Sequence, residues 1–199
     1  EIPEQGARSV ARGGAVVTST RDATAAWLNP ALLSQVDGLM FVYSHNLLWV
    51  DSEFQRLSPA NDGSYLPASS NEIPMFPINL FGALSYDLGT DHSTVALSVH
   101  GPNTTGHTRF SETGSSRYLL NELDVLLVYY AASYAYGTEN FGFGVTAQYV
   151  HLPRLNFGLV VDAAPSGLVP DTVFDVRADL EMEDQGTVSA LVGFWWRPT

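Results

Sequence analysis

The chain lacks both cysteine and lysine. Its nine basic residues are all arginine, and they stand against 21 Asp and Glu, which gives a formal net charge of −12. Without cysteine, disulfide scaffolds, thiolate metal sites and cysteine nucleophiles are excluded. The arginines are few and scattered, whereas phosphate binding requires clustered cations. We therefore expect no nucleic-acid partner.

Long hydrophobic runs are also missing. The longest unbroken apolar run, residues 125–132, has eight residues, whereas a membrane-spanning helix needs about twenty. Charged residues nevertheless make up only 15% of the chain, and hydrophobic residues 45%, whereas soluble domains usually carry about a quarter charged residues. A low charge without a spanning helix is typical of a transmembrane β-barrel, whose strands satisfy one another's backbone groups. No secretory signal peptide is visible, as in a processed exported protein.

Two regions of the chain differ in pattern. Residues 1–37 contain small-residue stretches and then a segment, 22–33, that is typical of two short helical turns. Asn29 is placed to cap the second turn, with Pro30 at its first helical position, where the missing N–H costs nothing. From Gly38 onward the helical period disappears and strands follow.

The strands alternate apolar and polar or small residues with a period of two. Phe141 and Phe143, for example, are opposed to Gly142 and Gly144. Such alternation places one face in an apolar medium and the other in water or a polar interior. The predicted strands are 39–50, 78–88, 94–101, 120–136, 141–151, 174–183 and 188–196.

The connections between these strands alternate between long and short, as the loops and turns of outer-membrane barrels do. The predicted connections are 51–76, 89–91, 102–117, 137–140 and 158–172. Aromatic residues near the strand ends fit an interfacial girdle; they are Trp49, Tyr86, Tyr134, Tyr136, Trp195 and Trp196. These patterns favour an all-β, antiparallel transmembrane barrel over a soluble β-sandwich.

Several motifs resemble the N-terminal hatch of the FadL-type outer-membrane transporters, which carry long-chain fatty acids and other hydrophobic molecules. The most specific one is Asn29-Pro30-Ala31 running into a first strand; Gly6-Ala-Arg, Gly13-Gly-Ala and Asp22-Ala also fit. Segments 141–149 and 184–196 resemble the family's fifth and sixth strands. The resemblance covers the whole chain but only about the N-terminal half of the family's fold, a barrel of fourteen strands plugged by the hatch.

The resemblance implies a hatch at residues 1–37, marked by Asp22, Asn29, Pro30 and Ala31, and the first part of the barrel at 38–199. It also implies six strands, with 174–196 as one strand interrupted by a bulge. The residues alone leave a hairpin turn at Asp184-Gln-Gly open, which would make seven strands. Neither number can enclose a plug, because even an eight-stranded barrel is filled by its own side chains. We therefore expect further strands from sequence outside these 199 residues.

Gly101-Pro102 interrupts a strand that would otherwise continue through residues 108–110. Proline removes a ladder donor and is not tolerated in a central strand. The resemblance implies a kinked third strand here, with a lateral gap through which an apolar ligand leaves. The residues alone favour the simpler interpretation, in which the strand ends at Gly101 and a loop starts. His100 lies on the polar side of the strand beside this gap and is a candidate ligand contact.

Two further candidate ligand contacts are Arg154 and Ile2. Arg154 stands among apolar residues just past the predicted strand 141–151 and can offer a bidentate fork to a carboxylate, although an exposed loop arginine is the simpler interpretation. In transporters of this family the extreme N-terminus lies in the lumen next to the ligand, which makes Ile2 the corresponding contact here.

Motifs for catalysis and for cofactors are weak. The five histidines show no metal-ligand spacing, so we expect no metal site. Gly142–Ala147 fits a dinucleotide pattern but lies within an alternating strand with no helix after it. No Gly-x-Ser-x-Gly elbow occurs. We expect neither an enzyme nor a cofactor.

The sequence thus predicts passive transport of hydrophobic molecules, such as fatty acids or hydrocarbons, through the bacterial outer membrane, with the lipid bilayer around the barrel. One alternative is a barrel that serves as a structural or protein-binding scaffold through the long loops 51–76 and 102–117. The other is a soluble, acidic β-sandwich that binds a ligand, in which the alternating apolar residues would need a second apolar layer.

Overall fold

The structure, a computed structural model, describes residues 7–58, 62–90, 92–101, 106–165 and 172–198. Its strands are β1 (Leu39–Trp49), β2 (Glu53–Phe54), β3 (Ser69–Ser70), β4 (Met75–Tyr86), β5 (Ser93–His100), β6 (His107–Arg109), β7 (Leu120–Gly137), β8 (Phe141–Asp162) and β9 (Asp175–Trp196). Its helices are α1 (Ala7–Ala11), α2 (Ala25–Leu28) and the 3-10 helices Pro30–Gln35, Gly114–Ser116 and Thr172–Phe174. Within these ranges no helix has the length and apolarity needed to cross a membrane.

The long strands form one antiparallel sheet in the order β1-β4-β5-β7-β8-β9, with β6 also paired to β7. The short strands β2 and β3 pair with each other. The sheet is not closed on itself: β1 and β9 are its two outer strands. Each pair of neighbouring long strands is antiparallel. The prediction of an all-β, antiparallel fold is therefore confirmed.

Strand β8 is longer than the sequence pattern predicts. It continues to Asp162, through part of the segment predicted as a loop from residue 158, because its second half pairs with both neighbours: Leu159 lies opposite Leu120 of β7 and Ala178 of β9. The alternation breaks where the register shifts, between Val150 and Leu155 on the β9 side. Such an irregularity changes which residues lie on each face, so a strand cannot be recognised across it from period-two alternation.

Residues Asp175–Trp196 form one strand, so the hairpin alternative at Asp184-Gln-Gly186 is wrong. The strand passes this point with a register irregularity rather than a turn. Gly186 lies directly against the ring of Tyr149: a Cβ at this glycine would be 2.2 Å from Cε2. The close approach of an aromatic ring, rather than a chain reversal, explains the glycine.

One face of the sheet exposes large apolar side chains, and the other buries mainly polar and small ones, which is the reverse of the pattern in a soluble protein. We name the face on which residues 7–37 lie the covered face, and the opposite one the open face. On β5, Leu97 of the open face is 64% exposed, whereas Ser98 and His100 of the covered face are 4% and 0% exposed. On β8, Phe143 is exposed and Thr146 is buried. Apolar side chains thus face outward, and polar or small ones face inward.

The hydrophobic core lies between residues 7–37 and the covered face. In one cluster, Ala25, Ala26, Leu32 and Leu33 pack on alanines of β5 and β7. In a second, Ala23 packs on Phe81 and Ala83 of β4, together with the part-buried Trp27 and Val42. Alanines on the strands let the short helices approach the sheet closely, since they leave room for the larger side chains above them.

Asp87 joins the start of β1 to the turn after β4. Its Oδ2 accepts the backbone N–H of Gly38 at 2.7 Å, and its Oδ1 accepts the N–H of Gly89 at 2.9 Å. These two backbone hydrogen bonds favour the ionised carboxylate and lower the pKa of Asp87 below its ordinary value of 3.8. The carboxylate therefore fixes the backbone just before β1, where the N-terminal segment ends, to the turn that follows β4.

We expect Asp87→Asn to lower the thermal midpoint of unfolding at pH 7, because an amide has only one acceptor oxygen. Since the pKa of Asp87 is lower in the folded protein, its contribution is fully present above pH ~4, the ordinary aspartate pKa, and is lost as the pH falls through the folded value. Thermal unfolding measured from pH 7 to pH 3 should show the two proteins converging. Glu139→Gln, in the other tight turn, is the control. A constant difference across this range would contradict the prediction.

Candidate functional site

The Asn29-Pro30-Ala31 element begins the 3-10 helix Pro30–Gln35. The side chain of Asn29 accepts the backbone N–H of Ala31 at 3.2 Å, and Pro30 occupies the first helical position, as predicted. The Nδ2 of Asn29 also donates to the carbonyl of Phe194 on β9 at 3.3 Å. The same amide therefore starts the helix and fixes it to the sheet.

This element sits on two glycines of the sheet. A Cβ at Gly144 of β8 would lie 2.3 Å from the carbonyl carbon of Pro30, and one at Gly193 of β9 would lie 2.1 Å from Oδ1 of Asn29. The two glycines lie opposite each other in the strand pairing. No side chain fits between the sheet and this backbone, so the pair forms a seat for residues 29–31.

Trp195 fixes the same helix from the side. Its Nε1 donates to the carbonyl of Ala31 and to Oγ of Ser34, both at 3.1 Å. The indole occupies the space beside Gly142, where a Cβ would be 2.0 Å from Nε1. The assignment of Trp195 to an interfacial girdle is therefore wrong: it lies on the covered face, because its position in β9 has the opposite parity to the exposed Trp196.

The hydrogen bonding between residues 7–37 and the sheet is uneven. On the β7–β8 side, the hydroxyls of Ser133 and Thr146 are hydrogen-bonded at 2.7 Å, and Thr146 donates to the carbonyl of Ala26 at 3.2 Å. On the β4–β5 side, the buried hydroxyls of Ser85 and Ser98 have no partner among the described residues. The N-terminal segment is thus held by polar contacts on the β7–β9 side and mainly by apolar packing at β4–β5.

Asp22 and Thr24 shape the approach to this element. The Asp22 carboxylate accepts the backbone N–H of Thr24 at 2.9 Å and also bonds its hydroxyl. The other oxygen of Asp22 lies 3.4 Å from Nη1 of Arg8 in α1. Asp22 therefore links α1 to the turn before α2, which places Ala25 and Ala26 on the sheet.

The sheet is interrupted where β5 ends at His100. The chain advances from His100 to His107 before pairing with β7 resumes, while the partner on β7 moves only from Tyr129 to Asp124. Six residues of the chain separate β5 from β6, whereas four residues of β7 separate their pairing partners. Gly101 directly follows β5, and its N–H donates to the Leu80 carbonyl at 2.9 Å. Pro102 lies outside the described residues.

A cavity of about 250 Å³ opens at this interruption, between the first half of β4 and the middle of β7. Its mouth includes the exposed Leu80 and Leu126 of the open face, and the buried His100 lies at its inner end. Apolar side chains dominate the lining, and among the described residues it contains no Asp, Glu or Arg. The lining is His45, Pro77, Ile78, Leu80, His100, Gly101, Leu126, Leu127 and Val128.

His100 is fully buried among aromatic rings. Its ring stacks on Tyr129 at 5.1 Å and on Phe81 at 6.0 Å between ring centroids, in the register row that joins β4, β5 and β7. Trp27 of α2 contacts it edge-on at 4.5 Å. Neither ring nitrogen has a hydrogen-bond partner among the described residues. The sequence placed His100 on the polar side of its strand, but only the tertiary structure brings Trp27 onto it.

Arg154 lies within β8, so its placement in a loop is wrong, although its side chain is exposed. Its Nε bonds the Asp124 carboxylate of β7 at 2.8 Å, and the same carboxylate lies 3.3 Å from Nδ1 of His107. Asp124 is nearly buried, whereas the Arg154 side chain is 54% exposed. The guanidinium is therefore oriented by one internal partner and still open to a second. Ile2 lies outside the described residues.

A charged cluster that sequence reasoning missed lies at the far end of β7–β9. Arg109 bonds Glu122 at 2.6 Å, and Arg177 contacts Glu112, Glu122 and Asp179. Asp179 lies on the same strand as Arg177, whereas Glu112 and Glu122 come from segments distant in the sequence, so no local pattern brings them to Arg177. In the described part of the chain no group of His, Asp and Glu is placed to hold a metal ion.

Comparison with known proteins supports the fold. No protein-family model matches the sequence, and no curated protein matches it. A solved structure, a FadL homologue from Pseudomonas aeruginosa, is similar over 100% of this chain and 49% of that chain, with a TM-score of 0.68 and 14% sequence identity. The chain thus spans about half the length of that structure, and it has a FadL-like fold.

Proposed function

We propose that this protein carries hydrophobic molecules passively through the bacterial outer membrane. In this proposal residues 1–37 are a hatch inside a barrel whose first part is residues 38–199. Strands from further sequence pair with β1 and β9 and close the wall. An apolar ligand enters among the long loops, passes the hatch and leaves sideways through the cavity beside Gly101.

The observation that carries the proposal is the apolar-lined cavity in the wall, opening on an apolar outer surface. Large apolar side chains cover the open face of every long strand, from Leu39 and Trp49 on β1 to Val192 and Phe194 on β9. No second layer covers them among the described residues, so a β-sandwich gains no support. Lipid tails are the medium that suits such a surface, and the lining of the cavity at β5 includes the exposed Leu80 and Leu126.

Energetics favour a dry route for such a ligand. Burial of apolar surface gains about 25 cal/mol per Å², so an alkyl chain is bound by an apolar pocket but gains nothing from a water-filled pore. In the closed barrel that we propose, the N-terminal segment on the covered face would obstruct an open aqueous channel. Transfer from pocket to bilayer exchanges one apolar environment for another and needs no energy input.

We further propose that Arg154 and Ile2 contact the ligand. Asp124 engages the Nε edge of Arg154, which leaves the exposed terminal nitrogens available to a carboxylate as a bidentate fork. For a ligand without a carboxylate, Arg154 would remain a structural partner of Asp124. The role of Ile2 rests on the sequence resemblance alone.

The test is uptake of radiolabelled hexadecane and hexadecanoate by a transport-deficient Gram-negative strain that expresses the full-length protein. We expect the initial uptake rate to rise at least severalfold over that of cells with an empty vector. Cells expressing an unrelated outer-membrane barrel at the same level control for leakiness. Membrane fractionation should place the protein in the outer membrane. Normal insertion without uptake of either probe would favour the scaffold alternative.

A further inference from the structure

We propose that His100 selects, within the lateral cavity, hydrophobic ligands that carry one neutral hydrogen-bonding head, such as a hydroxyl or an undissociated carboxyl group. This inference rests on the proposed transport function and adds a ligand class to it. The head group would bond the imidazole at the inner end of the cavity, and the alkyl chain would lie toward Leu80 and Leu126 at its mouth.

The first argument is the unsatisfied imidazole. His100 is 0% exposed, and both of its ring nitrogens lack a partner among the described residues. A buried polar group without a hydrogen-bond partner is unfavourable, and among the described residues the imidazole of His100 has none. Apart from His100, the only polar side chain in the described lining of the cavity is that of His45. A ligand that supplies the missing hydrogen bond recovers that cost on binding.

The second argument is the geometry around the ring. Phe81 and Tyr129 stack on the two sides of His100, and Trp27 contacts it from the hatch. These rings hold the imidazole in place, while His100 also lines the cavity with Gly101 and Leu127. The ring is therefore fixed in orientation before any ligand arrives, which favours a directed hydrogen bond.

The third argument is charge. Without an acidic residue in the described lining of the cavity, a charged imidazolium or a bare carboxylate would be buried without a counter-ion, which is strongly unfavourable. A neutral imidazole has one donor and one acceptor nitrogen. Hydroxyl and protonated carboxyl groups can bond either nitrogen, whereas a plain alkane can bond neither.

The experiment compares binding of radiolabelled hexadecan-1-ol and hexadecane to the purified full-length protein in detergent, using the ratio of the two affinities. Partitioning into micelles is the same for every variant and cancels when ratios are compared. We expect His100→Phe and His100→Leu to lower the alcohol-to-alkane ratio about tenfold, the value of one hydrogen bond. His100→Gln, which keeps a donor and an acceptor, should largely retain it. Ser98→Ala, on the same strand and face, is the matched control.

A ratio that His100→Phe and His100→Leu leave unchanged overturns the inference and leaves the transport function standing. Binding of neither probe to the wild type overturns both. A second measurement needs no variant: hexadecan-1-ol with a diazirine beside its hydroxyl should cross-link to residues lining the cavity. Cross-linking only elsewhere overturns the inference even if every His100 variant fails to fold.

Discussion

Gly144→Ala should detach residues 7–37 from the sheet. The new methyl group would lie 2.3 Å from the carbonyl carbon of Pro30 and 2.4 Å from the nitrogen of Ala31, and backbone atoms cannot swing away as a flexible side chain can. Overpacking of this kind costs 1–3 kcal/mol and sometimes more. At about 3 kcal/mol the detached population rises roughly a hundredfold, since each 1.4 kcal/mol is a factor of ten.

Limited trypsin digestion measures this effect, because the chain offers Arg8, Arg12 and Arg21 in the N-terminal segment. We expect cleavage there to be at least tenfold faster in Gly144→Ala, with β-strand content by circular dichroism unchanged. Gly82→Ala is the matched control: it makes the same chemical change in β4, where the added Cβ meets nothing within 4 Å. Equal cleavage rates in the two variants would show that residues 29–31 are not held by the glycine seat.

Gly101→Phe should nearly abolish the uptake of hydrophobic molecules. Gly101 lines the lateral cavity, and a Cβ there lies 3.3 Å from the Leu127 carbonyl. The cavity holds only about 250 Å³, so we expect an added phenyl ring to block the passage of an alkyl chain. The N–H of Gly101 is retained by phenylalanine, and its hydrogen bond to Leu80 survives. We expect uptake of hexadecane to fall at least tenfold.

Uptake is measured as initial rate per folded protein in the outer membrane. Gly82→Phe adds the same ring to the neighbouring strand β4, on the open face rather than in the cavity, and should leave uptake within a factor of two of wild type. A Gly101→Phe variant that inserts normally and transports at the wild-type rate would show that the ligand leaves by another route, while the rest of the proposed function would still stand.

Much of the architecture could be read from local pattern. The alternation of Phe141 and Phe143 with Gly142 and Gly144 predicted both the strand and the direction of its two faces, because a period of two assigns each side chain to a face. The capping of residues 30–35 by Asn29 could also be predicted, since it depends on neighbours in sequence. The C-terminal end of β8 could not be predicted, because the second half of this strand is held by pairing with β7 and β9 across a register shift.

The candidate site divides in the same way. The proline after Gly101 pointed to a break in the strand, since a missing donor is a local property of one residue. That the break opens into an apolar cavity with His100 at its inner end depends on β4 and β7, which are distant in sequence. The pairing of Arg154 with Asp124, and the salt bridge of Arg177 with Glu112, likewise required the fold.

The sequence by itself determined that this protein is an antiparallel sheet with an outward apolar face and an N-terminal segment that ends in a helical turn capped by Asn29. Those features follow from residue order alone, through side-chain alternation and capping. Only the tertiary structure decided that 175–196 is one strand, that Trp195 turns inward onto Ala31, and that glycines 144 and 193 seat the Asn-Pro-Ala element. Each of these depends on close approach between segments far apart in the chain, and no local pattern encodes such distances.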